Sequence, residues 1–385
     1  VEAVTGVEDG AGTPVVFAAA SSSECSTVFD SSSNKVVIAY RRSTGNGVVV
    51  LGTVSGTSIS FGSEVVFDNG FATNISTVFD SSNNKIVISY LDGNNSDYGT
   101  SIVGTVSGTS ISFGTPVVFN SAITYPGGAA FDSTNNKVVV PYRNNGNSDY
   151  GTAIVGTVSG TSISFGSAVV YNSATTTSVA ATFDSTANKV VIAYRDGGNS
   201  NYGTAIVGTV SGTSISFGSE VVFESATTIY ISSAFDSNSG KVVIAYRDDA
   251  SVFYYGTAIV GTVSGTSISF GSPAVFNAAL TTYTSTTFDS TNNKVVIAYT
   301  TNPLTGLSIV GTVSGTSISF GSATTIHTAG SSYTAATYDS NANKVVIAYQ
   351  DNGNSSYGTA AVITVGSSNN TSFIGITSEA ISSGA

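Results

Sequence analysis

The chain has 385 residues and a formal net charge of −11 at pH 7, with only 9% charged and 41% hydrophobic residues. This balance excludes intrinsic disorder, which needs low hydrophobicity, and argues against nucleic acid as a partner, because phosphates attract basic surfaces. The single cysteine, Cys25, excludes an intrachain disulfide, and no apolar run is long enough for a membrane span. Val1 in place of an initiator methionine indicates a processed product or part of a longer protein.

One sequence unit of about 52 residues occurs seven times along the chain. The segment GTVSGTSISFG is unchanged in six copies, and every copy has an aromatic residue followed by aspartate. The aromatic residues of these pairs are Phe29, Phe79, Phe131, Phe183, Phe235, Phe288 and Tyr338. Such repetition predicts that one small structural unit is stacked seven times.

The second copy shows the four strands that we expect in every unit. The first strand covers residues 76–80, and a polar turn leads to a second strand over residues 85–90. After a longer polar loop, the third strand covers residues 101–106 and the fourth covers residues 109–119. The second and third strands are apolar throughout, which predicts burial on both faces, whereas Ser110–Phe113 alternates as an outer strand does.

These features predict an all-β fold, a seven-bladed β-propeller with four antiparallel strands per blade. The alternative is an open solenoid, which would need capping repeats that the sequence lacks. We expect a single domain over residues 1–385. Residues 1–17 form a partial repeat or latch strand, and residues 371–385 form a closing strand and exit linker. The sequence does not decide which end completes the last blade.

The copies differ on one face of the predicted propeller. The variable face carries the loops after each second strand, such as residues 91–98, and the linkers between blades, such as residues 120–128. The constant face carries the nearly identical Asp-Ser-x-x-Asn-Lys and Val-Ser-Gly-Thr-Ser turns. Variation on one face is typical of recognition by loops on a rigid scaffold. Loops that are free of packing constraints would vary in the same way.

Tyrosines and arginines enrich the variable face and are the candidates for binding. Three successive copies place a tyrosine five positions before the aromatic–aspartate pair, and arginine follows several second strands. The candidate ligand-binding residues are Tyr125, Tyr230, Tyr283, Tyr333, Arg143, Arg195 and Arg247. Tyrosine suits the apolar face and polar edge of a sugar ring, and arginine suits carboxylates. Alternatively, the tyrosines pack on the next blade and the arginines pair with adjacent aspartates, Asp196 and Asp248.

We predict no metal site and no cofactor. The loop over residues 92–97 offers oxygen ligands but lacks the glutamate that completes a calcium loop. His327 is expected to be a solvated linker residue, which gives poor support for a Ser-His-Asp mechanism. The aspartates of the aromatic–aspartate pairs are expected to cap their own turns.

The core D-S-x-x-N-K-V-V-I-A-Y, the following Y-G-T and GTVSGTSISFG resemble the BNR or sialidase-like propeller repeats of bacterial surface and phage proteins. The final stretch, FIGITSEAISSGA, is similar to junctions in phage tail-fibre proteins. This resemblance implies an extracellular or virion-surface location. Sialidases also carry Asp-boxes that end in tryptophan, an arginine triad and a Tyr-Glu pair.

This sequence departs from the sialidase pattern. It has no tryptophan, and Arg143, Arg195 and Arg247 could converge but stand at positions that duplication alone makes equivalent. Glu224, close to Tyr230, is the best available carboxylate, and no catalytic pair can be nominated. We therefore predict that the chain is not an enzyme.

The leading hypothesis is an adhesion propeller that binds a glycan or a host-surface receptor on a phage fibre or cell surface, with repeated weak sites acting together. A structural spacer or lateral-contact element of a fibre or virion is the second hypothesis, which allows a homo-oligomer within the fibre. A sialidase-type glycosidase is the third. No nucleic acid and no membrane span are expected.

Overall fold

The computed structural model describes residues 8–366, which form β-strands of 2–16 residues and two single-turn 3₁₀ helices, Gly93–Asn95 and Asn145–Asn147. The first strands are β1 (Gly10–Ala11), β2 (Val15–Asp30), β3 (Lys35–Arg42), β4 (Gly47–Ser55), β5 (Ser58–Phe61), β6 (Val65–Asp68), β7 (Ala72–Asp80), β8 (Lys85–Asp92), β9 (Tyr98–Ser107), β10 (Ser110–Phe113) and β11 (Val117–Pro126). The next are β12 (Ala130–Asp132), β13 (Lys137–Asn144), β14 (Tyr150–Ser159), β15 (Ser162–Phe165), β16 (Val169–Asp184), β17 (Lys189–Asp196), β18 (Tyr202–Ser211), β19 (Ser214–Phe217), β20 (Val221–Asp236) and β21 (Lys241–Asp248). The last are β22 (Tyr255–Ser264), β23 (Ser267–Phe270), β24 (Ala274–Asn277), β25 (Thr281–Asp289), β26 (Lys294–Thr301), β27 (Thr305–Ser314), β28 (Ser317–Phe320), β29 (Thr324–His327), β30 (Ser331–Asp339), β31 (Lys344–Asp351) and β32 (Tyr357–Thr364).

These strands form seven blades of four antiparallel strands, which confirms the predicted propeller. In the fifth blade, the second half of β20 pairs with β21, and β21 pairs with β22. β23 and β24 both pair with β22, end to end, so the fourth strand consists of two segments. β20 also shows how blades connect, because its first half is the outer strand of the fourth blade and its second half is the inner strand of the fifth.

The second strand of each blade is buried on both faces because a blade packs on either side of it. In β21, Val242 and Ile244 pack against β17 of the fourth blade, whereas Val243 and Ala245 pack against β26 of the sixth. Successive side chains of a strand point to opposite faces, so one apolar run serves two interfaces. The outer segments alternate as expected, since Ile111 is buried while the neighbouring serines are exposed.

An aromatic contact joins each of six blades to the next. A fully buried tyrosine near the end of the second strand meets an aromatic residue from the outer strand of the preceding blade, with ring centroids 5.1–5.3 Å apart. The pairs are Phe17–Tyr40, Phe67–Tyr90, Phe119–Tyr142, Tyr171–Tyr194, Phe223–Tyr246 and Phe276–Tyr299. At the seventh interface, His327 lies beside Tyr349, with centroids 5.5 Å apart.

Three element boundaries of the second unit differ from those expected. β7, the inner strand of the second blade, begins at Ala72 because it extends towards the variable face. β9 begins at Tyr98, so the Tyr-Gly-Thr sequence is part of the third strand and not of the loop. The fourth strand is interrupted between β10 and β11, where the amide of Gly114 donates to the Val103 carbonyl at 2.9 Å.

The N-terminal strands complete the seventh blade. Val15, Val16, Ala18 and Ser21 of β2 lie opposite residues of β32, and β1 pairs with the far end of the same strand. The rest of β2 then forms the inner strand of the first blade. The described N-terminal segment therefore occupies the position next to β32. The closing strand expected within residues 371–385 lies outside the described residues.

The constant face is a set of interlocked turns. The aspartate of every aromatic–aspartate pair is 0–3% exposed and accepts hydrogen bonds of 2.8–3.1 Å from two backbone amides of its own turn, as the sequence indicated. Some turns also bind the next blade: Thr134 Oγ1 donates to Asn188 Oδ1 at 2.6 Å, and Thr291 Oγ1 donates to Asn343 Oδ1 at 2.9 Å. These contacts fix the constant face as a rigid platform.

Candidate binding face

A β-bulge on the inner strands positions the residues that lie five places before each aromatic–aspartate pair. Six of these seven residues have left-handed backbone conformations, with φ between 50° and 55°, and Pro126 is the exception. The six are Glu24, Asn74, Ser178, Tyr230, Tyr283 and Tyr333. In β20 the pairing register slips between Ile229 and Ser232 at this point. Bulges redirect side chains, and this one places equivalent side chains of successive blades beside each other.

Three tyrosines form a continuous row, which we call the tyrosine arc (Tyr230, Tyr283 and Tyr333). The ring centroids of Tyr230 and Tyr283 are 5.2 Å apart, and those of Tyr283 and Tyr333 are 5.1 Å apart. The hydroxyl of Thr284 donates to the carbonyl of Tyr230, which ties two blades together at the arc. Burial raises the pKa of both Tyr230 and Tyr333, so their hydroxyls stay neutral hydrogen-bonding groups.

A pocket begins at one end of the arc. It has a volume of about 350 Å³ and is lined by Tyr125, Arg143, Thr177 and Tyr230, among others. The guanidinium carbon of Arg143 lies 3.8 Å from the Tyr125 ring centroid, and Arg143 Nε is 3.6 Å from Asp149 Oδ1. Arg143 stacks on Tyr125, and its distance from Asp149 is longer than a hydrogen bond. Its guanidinium group can therefore donate hydrogen bonds to a ligand in the pocket, beside an aromatic ring.

The side chain of Arg247 lies between two aromatic rings, near the Tyr230 end of the tyrosine arc. Its guanidinium carbon is 5.4 Å from the Tyr230 centroid and 5.1 Å from the Tyr254 centroid. Arg247 Nε and Nη2 donate to the carboxylate of Asp249, at 2.7 and 3.1 Å. The expected pairing with Asp248 is therefore wrong, since the carboxylate two residues after the arginine is the partner.

Arg195 has a different environment although its sequence position is equivalent. Its Nε donates to Asn201 Oδ1 at 3.0 Å. The expected pairing with Asp196 is also wrong, because the Asp196 carboxylate accepts from Asn172 Nδ2 and from the amide of Gly198. Of the three predicted arginines, only Arg143 lines the pocket, so the described structure does not bring them together as a triad.

A second pocket lies at the other end of the arc and was not predicted. Its volume is about 460 Å³, and Arg41, Phe71, Tyr333 and Gln350 line it. Arg41 lies 4.9 Å from the Phe71 ring centroid, and its Nη2 is 3.2 Å from the carboxylate of Glu24. The signal for Arg41 was present, because it occupies the same repeat position as Arg143. Phe71 could have been found as an aromatic residue in a variable linker.

The environments of Glu224 and His327 differ from those expected from the sequence. Glu224 accepts a hydrogen bond from the Tyr246 hydroxyl at 3.1 Å, and burial, assisted by the carboxylate of Asp248, raises the pKa of Glu224. Glu224 therefore pairs with an inter-blade tyrosine, and not with Tyr230. His327 is not solvated as expected: its side chain is 18% exposed, with Nε2 2.8 Å from Asp351 Oδ1.

Residues 8–366 contain no cluster of three or more potential metal-ligating His, Cys, Asp or Glu residues. No helix in this part of the chain is long and apolar enough to cross a membrane.

Comparisons with known proteins do not assign the chain to a family. No protein-family model matches the sequence, and no curated protein matches it. The structure is similar to a solved structure of a mutant Aleuria aurantia lectin in complex with alpha-methyl-L-fucoside, with a TM-score of 0.46 and 13% sequence identity. The similarity covers 79% of this chain and 95% of that chain. A likeness at this level carries no conclusion about what this chain binds.

Proposed function

We propose that the chain is a non-enzymatic carbohydrate-binding propeller whose ligand lies along the tyrosine arc and in the two pockets at its ends. The observation that carries the proposal is the arc itself: three half-buried tyrosines from three blades, in ring contact, run from the Tyr125–Arg143 pocket to the Arg41–Phe71 pocket. Rigid aromatic surfaces with hydrogen-bonding edges suit sugar rings, and flanking arginines supply donors to hydroxyl or carboxylate oxygens.

The polar groups around the arc favour binding over glycoside hydrolysis. Hydrolysis of a glycosidic bond needs two carboxyl groups facing one bond. The pocket beside Tyr230 is lined by Asn, Thr, Ser, Arg and apolar residues, with no Asp or Glu in its lining. Glu24, at the other pocket, is engaged by Arg41 and by the amide of Asn74.

The biological setting is a proposal that rests on the repeat resemblance. We infer that the propeller acts on a phage tail fibre, a virion or a bacterial surface, where it recognises a host glycan or receptor. Several weak sites on one face would strengthen attachment through effective concentration.

A glycan array tests the binding proposal. Wild type and the Tyr230→Ala/Tyr283→Ala/Tyr333→Ala triple variant are compared, with folding of both checked by circular dichroism. We expect wild type to bind a subset of glycans and the triple variant to lose at least tenfold in signal, because each stacked ring contributes of order 1 kcal/mol.

The matched control is Tyr338→Ala, the same substitution at a half-buried tyrosine of the constant face. It should bind as wild type does. Absence of glycan binding by wild type would contradict the proposed function, and equal binding by the triple variant would contradict the location of the site.

A structural role in a fibre is the second proposal, and one observation favours it. One valine on the outer strand of each of six blades is 38–50% exposed, which gives an apolar row around the circumference. These valines are Val16, Val66, Val118, Val170, Val222 and Val275. Electron microscopy of the full-length protein tests it, because lateral contacts should be visible between propellers, and isolated propellers would count against it.

A further inference from the structure

A crevice between the third and fourth blades lies apart from the tyrosine arc. Its volume is about 610 Å³, and it is bordered by the outer strand of the third blade and by the loop after β17 of the fourth. No residue of its lining belongs to the two pockets at the ends of the arc. The polar side chains that line this fourth-blade crevice are those of Tyr171, Asn172, Ser173, Asp196, Asn199 and Glu220.

The crevice contains two carboxylates that no basic side chain neutralises. Asp196 is 5% exposed, and its Oδ1 accepts from Asn172 Nδ2 at 3.0 Å and from the amide of Gly198 at 2.9 Å. Glu220 is exposed, and its Oε1 accepts from the Tyr194 hydroxyl at 2.7 Å. Within residues 8–366, neither carboxylate forms an ion pair, and no lysine or arginine lines the crevice. Because all their partners are neutral, both negative charges act on whatever enters the crevice.

The first blade shows a cationic group at the equivalent place. The repeat alignment puts Arg42 at the position of Asp196 and Glu64 at the position of Glu220. In the first blade, the Glu64 carboxylate accepts from the Tyr40 hydroxyl and forms an ion pair with Arg42. The equivalent tyrosine of the fourth blade donates to its glutamate in the same way. The surroundings of this glutamate therefore accommodate a cation, which the first blade supplies from its own chain and the fourth blade does not.

Tyr171 adds a hydrogen-bonding group that the other blades lack. Phenylalanine stands at its repeat position in five blades, and Ile326 stands there in the sixth. Tyr171 is 6% exposed, and its hydroxyl has no hydrogen-bond partner among the described residues. Burial, assisted by the Glu220 carboxylate, raises the pKa of Tyr171, so the hydroxyl stays protonated. Buried polar groups are normally paired, so this hydroxyl indicates a hydrogen-bonding partner from outside the chain.

We propose that the fourth-blade crevice binds an amino sugar through its protonated amine. A primary ammonium group has three N–H donors, and the carboxylates of Asp196 and Glu220 are acceptors of opposite charge. Such charge-assisted hydrogen bonds are roughly twice as strong as neutral ones. The side chains of Ser173 and Asn199 can bond to the hydroxyl groups of the sugar ring. This site goes beyond the tyrosine arc and does not depend on binding there.

The lining favours an amino sugar over two other cations. A calcium ion takes six to eight oxygen ligands, whereas residues 8–366 contain no cluster of three or more potential metal-ligating His, Cys, Asp or Glu residues. A lysine side chain from a peptide has an apolar stem that packs on apolar surface. The crevice offers mostly polar side chains and Gly198, which suit a ring that carries several hydroxyl groups.

An NMR titration with glucosamine tests the proposal, and glucose serves as the neutral analogue of the same size. The amide resonances of Gly198 and Asn199 report binding at the crevice, at a pH where the amine is protonated. We expect glucosamine to bind at least about tenfold more tightly than glucose, because a hydrogen bond to a charged group is worth roughly a factor of ten. High salt should weaken this preference. Asp196→Asn/Glu220→Gln, with folding checked by circular dichroism, should lower the affinity for glucosamine at least about tenfold.

The matched control is Glu8→Gln/Asp97→Asn, which removes the same number of charges away from the crevice and should bind glucosamine as wild type does. The Tyr230→Ala/Tyr283→Ala/Tyr333→Ala variant should also keep this affinity, which separates the crevice from the tyrosine arc. Equal affinity of wild type for glucosamine and glucose overturns the proposal, as does an equal loss in the control variant. Tighter binding of Nα-acetyl-lysine methylamide than of glucosamine would show a peptide partner and overturns it too.

Discussion

Tyr125 and Arg143 are direct cross-strand partners, and the guanidinium carbon lies 3.8 Å from the ring centroid. Their stacking fixes the position of the arginine in the pocket beside the tyrosine arc. Arg195 occupies the same repeat position but lacks an aromatic partner, because Thr177 is its cross-strand neighbour. The two blades therefore provide an internal comparison for the value of the stacked pair.

We predict that a double-mutant cycle of Tyr125→Leu with Arg143→Gln shows a coupling free energy of about 0.5–1 kcal/mol, the usual size of a cation–π contact at a partly exposed site. Urea unfolding measures it. The control cycle, Tyr125→Leu with Arg195→Gln, should be additive. Equal coupling in both cycles would show that the stacking does not stabilise the pair.

Phe223 takes part in two inter-blade aromatic contacts. We therefore expect substitutions of Phe223 to lower the free energy of unfolding, and the smaller the new side chain, the larger the loss. Its ring lies 5.2 Å from the Tyr246 ring and 5.7 Å from the Phe270 ring, between centroids. Phe223→Ala should lower the free energy of unfolding by about 3–5 kcal/mol, because it leaves a cavity between two blades. Phe223→Ile should cost less, since Ile326 fills the equivalent position in the sixth blade.

The neighbouring residue supplies the control for this series. Val222 is 41% exposed, so Val222→Ala should change the free energy of unfolding by less than about 0.5 kcal/mol. Denaturant unfolding followed by circular dichroism measures all three variants. A loss at Phe223 no larger than that at Val222 would contradict the packing role.

We expect that replacing Glu224 by a neutral residue increases the stability of the protein, and that this gain depends on pH. Burial first, and the carboxylate of Asp248 second, raise the pKa of Glu224 above its ordinary value of 4.5. A raised carboxyl pKa stabilises the folded state below pH 4.5, and that contribution is lost as the pH rises through the folded-state pKa. In the preceding blade, Asn172 replaces the glutamate and donates to Asp196 at 3.0 Å.

We therefore expect Glu224→Asn to raise Tm at pH 7, because a repelling carboxylate becomes a donor to Asp248, and to lose this advantage below pH 4.5. Thermal unfolding across pH measures the difference from wild type. At the equivalent position between the third and fourth blades, Asn172→Asp introduces a carboxylate in place of an amide. This substitution should lower Tm at pH 7. A gain for Glu224→Asn that does not depend on pH would contradict this explanation.

Much of the fold could be predicted from the sequence because all seven repeats show the same pattern of apolar and polar residues. The apolar run Lys241–Asp248 and the alternating Ser-Ile-Ser-Phe segment differ in pattern for a physical reason: one strand has a blade on each side, and the other borders water. Strand ends were harder to place. The Tyr-Gly-Thr sequence contains polar and flexible residues, yet pairing with the second strand holds it extended from Tyr98 onwards.

The site was predictable as a set of positions but not as a set of contacts. Register alone aligned Tyr230, Tyr283 and Tyr333, but the left-handed bulge that brings their rings together depends on strand pairing. Arg143 and Arg195 are equivalent in the repeat, and their partners differ because the linkers around them differ. The Arg41–Phe71 contact joins a strand of the first blade to the linker that leads into the second, and only the folded structure shows it.

Strand β2 has one half in the seventh blade and the other half in the first. No blade in the described structure is therefore terminal, because each has a neighbour on both sides that shares its buried core. A linear repeat array can fray from its ends, one unit after another. Here the loss of any single blade would open two apolar interfaces at once, so the seven repeats should unfold as one cooperative unit.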